Sequence, residues 1–201
     1  MPATDLRTAP RQERGRRRVD SLLDAAAALL DERDVGEMTT TEVAHRSGTS
    51  VGGLYRYFPD IETLLHALAE RNRERYWAFA AETDEGARGR AFLDHLMTSY
   101  VRFARKEPGF RALRFGHVLE NYLGQREASV AITDEMAAMI ADRGGLVVTP
   151  ESRLDIDIAV SMSVALMHRA FELDPDGDQR VIDKTISMVT HLFAPHVAPR
   201  D

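Results

Sequence analysis

The stretch Gly48–Phe58, GTSVGGLYRYF, decides how this chain is read. The segments on either side of it have helical patterning. Yet it holds two adjacent glycines, Gly52 and Gly53, followed at once by Tyr55, Arg56 and Tyr57. Glycine inside a helix costs about 1 kcal/mol relative to alanine. A surface helix that accepts this twice gains something from a bare backbone, and close approach to another molecule is one such gain.

Working outward, Val19, Leu22, Leu23, Ala26 and Leu30 recur at helical spacing and predict an amphipathic helix over 17–33, ended by Asp34 and Gly36. Thr39 with Glu42 three residues on is a capping box opening a short helix, Thr40 to Ser47, which Gly48 ends. Ser50 caps the next short helix, Val51 to Tyr57, and Pro59 breaks it. Asp60 then caps a longer helix, 60–81, with Ile61, Leu64, Leu65 and Leu68 facing inward.

Two short helices joined by a tight turn raise the helix-turn-helix motif. Its crossing needs a small residue, which Ala44 supplies. Its turn needs positive φ four residues later, which Gly48 supplies, and Leu54 with Val43 plugs the pair into a core. A glycine-bearing second helix lies close to DNA in the major groove. Hydroxyls and backbone N–H groups at a helix start suit phosphate, and Arg56 reaches a phosphate or a guanine edge. Tyr55, Tyr57 and Phe58 could instead be core aromatics. That reading suits Phe58 and, at most, one of the tyrosines, because positions two apart on a helix face differently.

Beyond a polar linker, Thr83 to Gly89, helices are predicted over 89–106, Phe110 to Gly116, 118–143, 150–173 and 178–194. Thr149-Pro150 and Asp174-Pro175-Asp176-Gly177 give the last two sharp ends. No segment alternates with period two, and no repeat is present. The expectation is an all-α chain of about nine helices. It divides into a basic flexible arm (1–15), a helix-turn-helix domain (16–60) and a larger C-terminal helical domain (61–201), with helix 60–81 connecting them.

The run TTTEVAHRSGTSVGGLYRYFPDIETLL, preceded by an amphipathic helix, resembles the DNA-binding domain of the TetR family of transcriptional regulators. The likeness covers about residues 16–68; the remainder is similar in layout, ending in two long helices. The resemblance implies a homodimer, a palindromic double-stranded operator with recognition helices about 34–36 Å apart, and repression relieved by a small molecule. It also implies that the domain over 61–201 binds that ligand and dimerises. Mapped onto this chain, the DNA-binding residues are Arg16, Arg17, Thr39, Thr41, Ser50, Val51, Gly52, Gly53, Tyr55, Arg56 and Tyr57. Four positions depart from the family pattern. Asp34 stands where glycine is usual, Val51 where a lysine or polar residue is, Gly53 where threonine is, and Ile61 where a phosphate-binding lysine is. Backbone contacts then rest more on Thr39, Ser50, Tyr55, Tyr57 and the arginine arm, and Val51 is placed to meet a thymine methyl.

Helix 150–173 is apolar nearly all round, so it is either the buried centre of a monomer or covered on one face by a second copy. The family layout favours the second, with Ile158, Met162, Ala165, Val181, Met188 and Leu192 at a four-helix interface. An effector pocket among helices 89–143 and 150–173 would draw on Phe92, Leu96, Tyr100, Phe103, Phe110, Arg114, His117, Tyr122, Met139, Met162 and Met167, with Arg114 and His117 as polar handles. Trp77, on helix 60–81, is the natural reporter.

Charge fits one polyanionic partner at one end, although a solvated tail would carry the same charge. Residues 1–18 hold six arginines against two acids, a net of +4, while the remaining 20 basic and 30 acidic residues leave the body at −10. With no cysteine, disulfide and thiolate chemistry are excluded, which fits the cytoplasm. No apolar run approaches membrane length, and no apolar stretch follows the basic start as in a signal peptide. The seven histidines are scattered without a His-Glu-x-x-His motif, and Asp155 and Asp157 point apart on a helix. There is no glycine-rich phosphate loop and no serine triad pattern. An enzyme is therefore not expected, nor any metal, cofactor or membrane partner.

Overall fold

The structure is a computed structural model that describes residues 9–83, 86–113 and 125–196. Among these residues the chain forms eight α-helices and one turn of 3-10 helix, with no strand. The helices are α1 (Ala9–Leu30), α2 (Thr40–Arg46), α3 (Val51–Tyr55), α4 (Ile61–Glu82), α5 (Gly89–Ala104), α6 (Gln125–Gly144), α7 (Pro150–Leu173) and α8 (Gln179–Phe193). The chain divides into two compact units. The first holds residues up to Glu70 together with Pro108–Leu113; the second holds Arg71–Glu107 and the chain from Arg114 on.

In the first unit, Leu22 of α1, Val43 and Ala44 of α2, Leu54 of α3, and Leu64 and Leu68 of α4 are fully buried. Helix α1 begins at Ala9, so the second half of the expected arm is helical. The loop after α1 also differs. Asp34 sits at φ −69°, ψ 147°, and a 3-10 turn over Val35–Glu37 follows. The aspartate thus avoids the left-handed backbone that a glycine can adopt.

Pro108–Leu113 is a run of turns, where a helix over Phe110 to Gly116 is expected; residues 114–116 of that helix, and 118–124 of the next, lie outside the described residues. Gly109 explains it. At φ +68° it lies on α1, where a Cβ would come within 2.9 Å of the Ala27 Cα. Its N–H donates to the Asp31 carboxylate at 2.9 Å. Phe110 and Leu113 are buried as a result.

In the second unit, α5, α6, α7 and α8 pack on one another and on the C-terminal half of α4. Val101, Met167, Ala170 and Ile182 form one core cluster. Helix α7 starts at a capping box between Thr149 and Ser152 with Pro150 in its first turn. Asp178 caps α8, accepting from the Arg180 N–H at 2.9 Å. The Arg180 guanidinium, bonded to the same carboxylate, holds its pKa down to about 2.

Candidate nucleic-acid interface

Helices α2 and α3 are each locked at their first turn by side-chain caps. Thr39, extended at φ −119°, accepts from the Glu42 N–H, and Glu42 accepts from the Thr39 N–H at 3.0 Å. The Thr39 hydroxyl, which donates to the Glu42 carboxylate at 2.8 Å, and then the Thr39 N–H hold the Glu42 carboxyl below the usual carboxylate range, with the Arg33 guanidinium adding to the effect. Ser50 accepts from the Gly53 N–H at 3.1 Å. Between the helices Gly48 turns the chain at φ +64°. Helix α1 braces this turn: Arg18 donates to the Thr49 hydroxyl at 3.0 Å, and Ser21 to the Ser47 carbonyl at 3.4 Å. Arg46 and Glu32 pair at 2.7 Å across α2 and the end of α1, which lowers the pKa of Glu32.

On this frame α3 has one buried anchor and an open outer surface. Leu54 is fully buried and Phe58 nearly so, whereas Tyr55 is 50% exposed and Val51 and Tyr57 are each 37% exposed. Both tyrosines therefore point outward and Phe58 alone is core. Thr39, Thr41, Ser50, Gly52 and Arg56 are exposed as well, and Gly53 is half-buried. On α1, Arg16 and Arg17 are exposed, Arg17 pairing with Glu13 at 2.5 Å. Arg56 and Tyr57 have no side-chain partner among the described residues. The Tyr55 hydroxyl does have one, the Thr40 hydroxyl at 3.1 Å. Sequence patterning did not single out Thr40; its place at the first position of α2, beside the cap, was the available signal.

The two glycines differ. A Cβ at Gly52 would meet nothing within 4 Å, whereas one at Gly53 would meet Thr49 Cγ2 at 2.9 Å and Ser50 Oγ at 3.0 Å. A side chain at Gly53 would press on the Thr49 methyl and the capping Ser50 hydroxyl, which would have to shift, whereas Gly52 is bare with no intramolecular neighbour. Asp60 caps α4, accepting from the Thr63 N–H at 2.7 Å.

The other expected residues that are described fall in the second unit, with one exception. A cavity of about 90 Å³ lies among α4 to α8. Of the proposed pocket residues, Leu96, Tyr100 and Met167 line it. Phe92 is buried beneath the Arg143 guanidinium, and Phe103 packs edge-on against Tyr76. Met139 and Met162 are half-buried away from the cavity wall. Phe110 is the exception and belongs to the first unit. Arg114, His117 and Tyr122 lie outside the described residues. The cavity is instead walled by Tyr76 and Trp77 from α4 and by a stripe of α7, residues 156, 159, 163 and 167, whose spacing of three and four was legible but indistinguishable from ordinary core. Of the residues expected at a dimer interface, Ile158 (45%) and Met188 (48%) are exposed, as is Ala165. Met162, Val181 and Leu192 are half-buried. Leu154, not anticipated there, is 58% exposed on the same face.

A capped short helix, a glycine turn and a second short helix presented outward define a helix-turn-helix DNA-binding protein. Residues 22–68 match the family described as bacterial regulatory proteins, tetR family, and residues 87–197 match the tetracyclin repressor-like C-terminal domain. The chain belongs to the TetR family of transcriptional regulators, which are DNA-binding proteins and not enzymes. A TetR-family transcriptional regulator from Streptomyces coelicolor is 28% identical, aligning over 90% of this chain and 99% of its own with a TM-score of 0.75. A family member from Shewanella sp. PV-4, 17% identical with a TM-score of 0.65 over 90% of this chain and 99% of its own, shares the fold. Among curated proteins, the nucleoid occlusion factor SlmA of Actinobacillus pleuropneumoniae is 32% identical over 117 residues, 57% of each chain. That of Haemophilus ducreyi is 31% identical over 51% of this chain and 52% of its own. The chain thus spans only about half the length of the curated relatives it matches. Among the described residues no helix is long and apolar enough to cross a membrane.

Proposed function

We propose that this chain is a homodimeric repressor that binds a palindromic operator through α3 and is released from it by a small molecule held in the second unit. The observation that carries the reading is the outer surface of α3, where Gly52 leaves the backbone bare beside exposed Val51, Tyr55, Arg56 and Tyr57. Backbone approach, two phenolic hydroxyls and one unpaired guanidinium are the elements of phosphate and base-edge contact. Arg16 and Arg17 on α1 add positive charge, and the cytoplasm, where an operator is accessible, is the place of action.

Dimerisation is supported by the outward face of α7. Leu154, Ile158, Ser161 and Ala165 follow one another at spacings of three and four, so a single exposed face is largely apolar. Met188 on α8 is exposed as well. A second copy applied there would cover it. Release is supported by continuity. Helix α4 carries Trp77 at the cavity and runs unbroken to Ile61, immediately beyond the helix-turn-helix.

A gel-retardation assay on fragments of the source genome tests the reading. Sequence-selective retardation that weakens steeply with salt is expected. Failure to retard any fragment at low ionic strength refutes it. The curated relatives favour a second reading, DNA binding without effector release, in a role such as their nucleoid occlusion. Bound fragments scattered along the chromosome rather than concentrated at promoters would favour it.

A further inference from the structure

We propose that the cavity of the second unit takes a small, uncharged, apolar molecule, such as a short alkyl chain or a single aromatic ring, and rejects the corresponding carboxylates. The inference rests on the effector-controlled reading above and names the chemical class of the effector.

The walls are carbon. Ile156, Ala159 and Met167 of α7 face Trp77 and Tyr100, and no Asp, Glu, Lys, Arg or His lines the space among the described residues. Two of the polar tips at the wall are engaged within the protein. The Tyr76 hydroxyl donates to the Leu96 carbonyl at 3.1 Å. The Ser163 hydroxyl is directed at the Met97 sulfur at 3.9 Å, a weak acceptor. The Trp77 indole N–H is sealed from solvent and has no acceptor among the described residues. An ion entering this space would shed its hydration and find no countercharge, whereas a hydrocarbon would lose nothing.

Size narrows the class. The cavity holds about 90 Å³. An apolar cavity of about 150 Å³ stays dry and admits benzene. As it stands, then, the space suits a few carbons. A benzene-sized ring needs modest widening, for which the unbranched side chains of Met97 and Met136 on the wall are suited.

The test uses the full chain with toluene and n-hexane as neutral probes and benzoate and hexanoate as their charged counterparts. Trp77, the sole tryptophan, reports binding by its emission, and retardation of bound DNA is read in parallel. The neutral probes are expected to shift the emission at concentrations at least about 100-fold below any effect of the carboxylates. Carboxylates that bind equally well overturn the inference. So does silence from all four probes while DNA retardation persists, which leaves the regulator reading standing. Toluene binding with DNA unaffected upholds the cavity's chemistry and removes effector release from the functional reading. Ser163→Leu fills the space and should abolish the toluene response with retardation retained; Ala159→Val is the milder variant should Ser163→Leu not fold. A full toluene response in a filled, folded variant overturns the inference.

Discussion

Gly52→Ala adds a methyl group that meets nothing within 4 Å, at a residue whose backbone is already helical. The fold therefore has no objection to it. Alanine is worth about 0.5–1 kcal/mol over glycine in a helix, so the variant should be more stable than the parent by that amount or slightly less, since α3 is short. The neighbouring Gly53→Ala has the same propensity gain but a different surrounding. Its methyl overlaps Thr49 Cγ2 and the Ser50 Oγ that caps the helix. Turning Ser50 aside forfeits a cap worth about 1 kcal/mol. Gly53→Ala should thus fall about 1 kcal/mol below Gly52→Ala, roughly 2–4 °C in melting temperature for a chain of this size. Thermal and urea denaturation at one fixed protein concentration measure the difference. DNA retardation should move the opposite way for Gly52→Ala, losing about tenfold or more in affinity as the methyl holds the backbone off the duplex. A Gly52→Ala protein that is stabilised and binds DNA like the parent would refute the bare-backbone argument. One that is destabilised would refute the structural reading of α3.

Four further outcomes are expected. Asn72 is buried with both amide atoms unpaired among the described residues, so Asn72→Leu should stabilise the protein by about 1–3 kcal/mol, measured by denaturant titration. Ile158→Asp places a charge on the exposed apolar face of α7 and should convert the proposed dimer to a monomer in size-exclusion chromatography with light scattering; a parent that is already monomeric ends that argument. Gly109→Ala combines φ +68° with overlap on the Ala27 backbone and should cost about 3 kcal/mol or more, seen as a large drop in melting temperature. Glu42 has a folded-state pKa below its ordinary 4.5, so the stability it contributes is present above pH 4.5 and is lost as pH falls through the lower value. Glu42→Gln should flatten that acid limb of a stability–pH profile.

The helix-turn-helix was legible because its constraints are local. Ala44 is small where helices cross, Gly48 is at positive φ, Leu54 is apolar where a plug is needed, and all lie within eleven residues of one another. The capping box at Thr39 and the Thr149-Pro150 cap are equally local and fix the starts of α2 and α7. What escaped depends on distance along the chain. Nothing near Phe110 in sequence announces that Gly109 lies on Ala27, which keeps Phe110 in the first unit and away from the cavity. The paired glycines are alike in sequence and differ only in what a Cβ would meet. Cavity-facing and core-facing residues of α7 share the same apolar chemistry, and only three-dimensional packing distinguishes them.

The return of Pro108–Leu113 to the first unit has a practical corollary. A fragment ending at Glu70 carries every residue proposed for operator contact, yet it lacks Phe110 and Leu113, and the α1 surface around Ala27 loses its cover. The DNA-reading head is therefore stitched from two separate stretches of polypeptide, and a single proteolytic cut cannot free it whole.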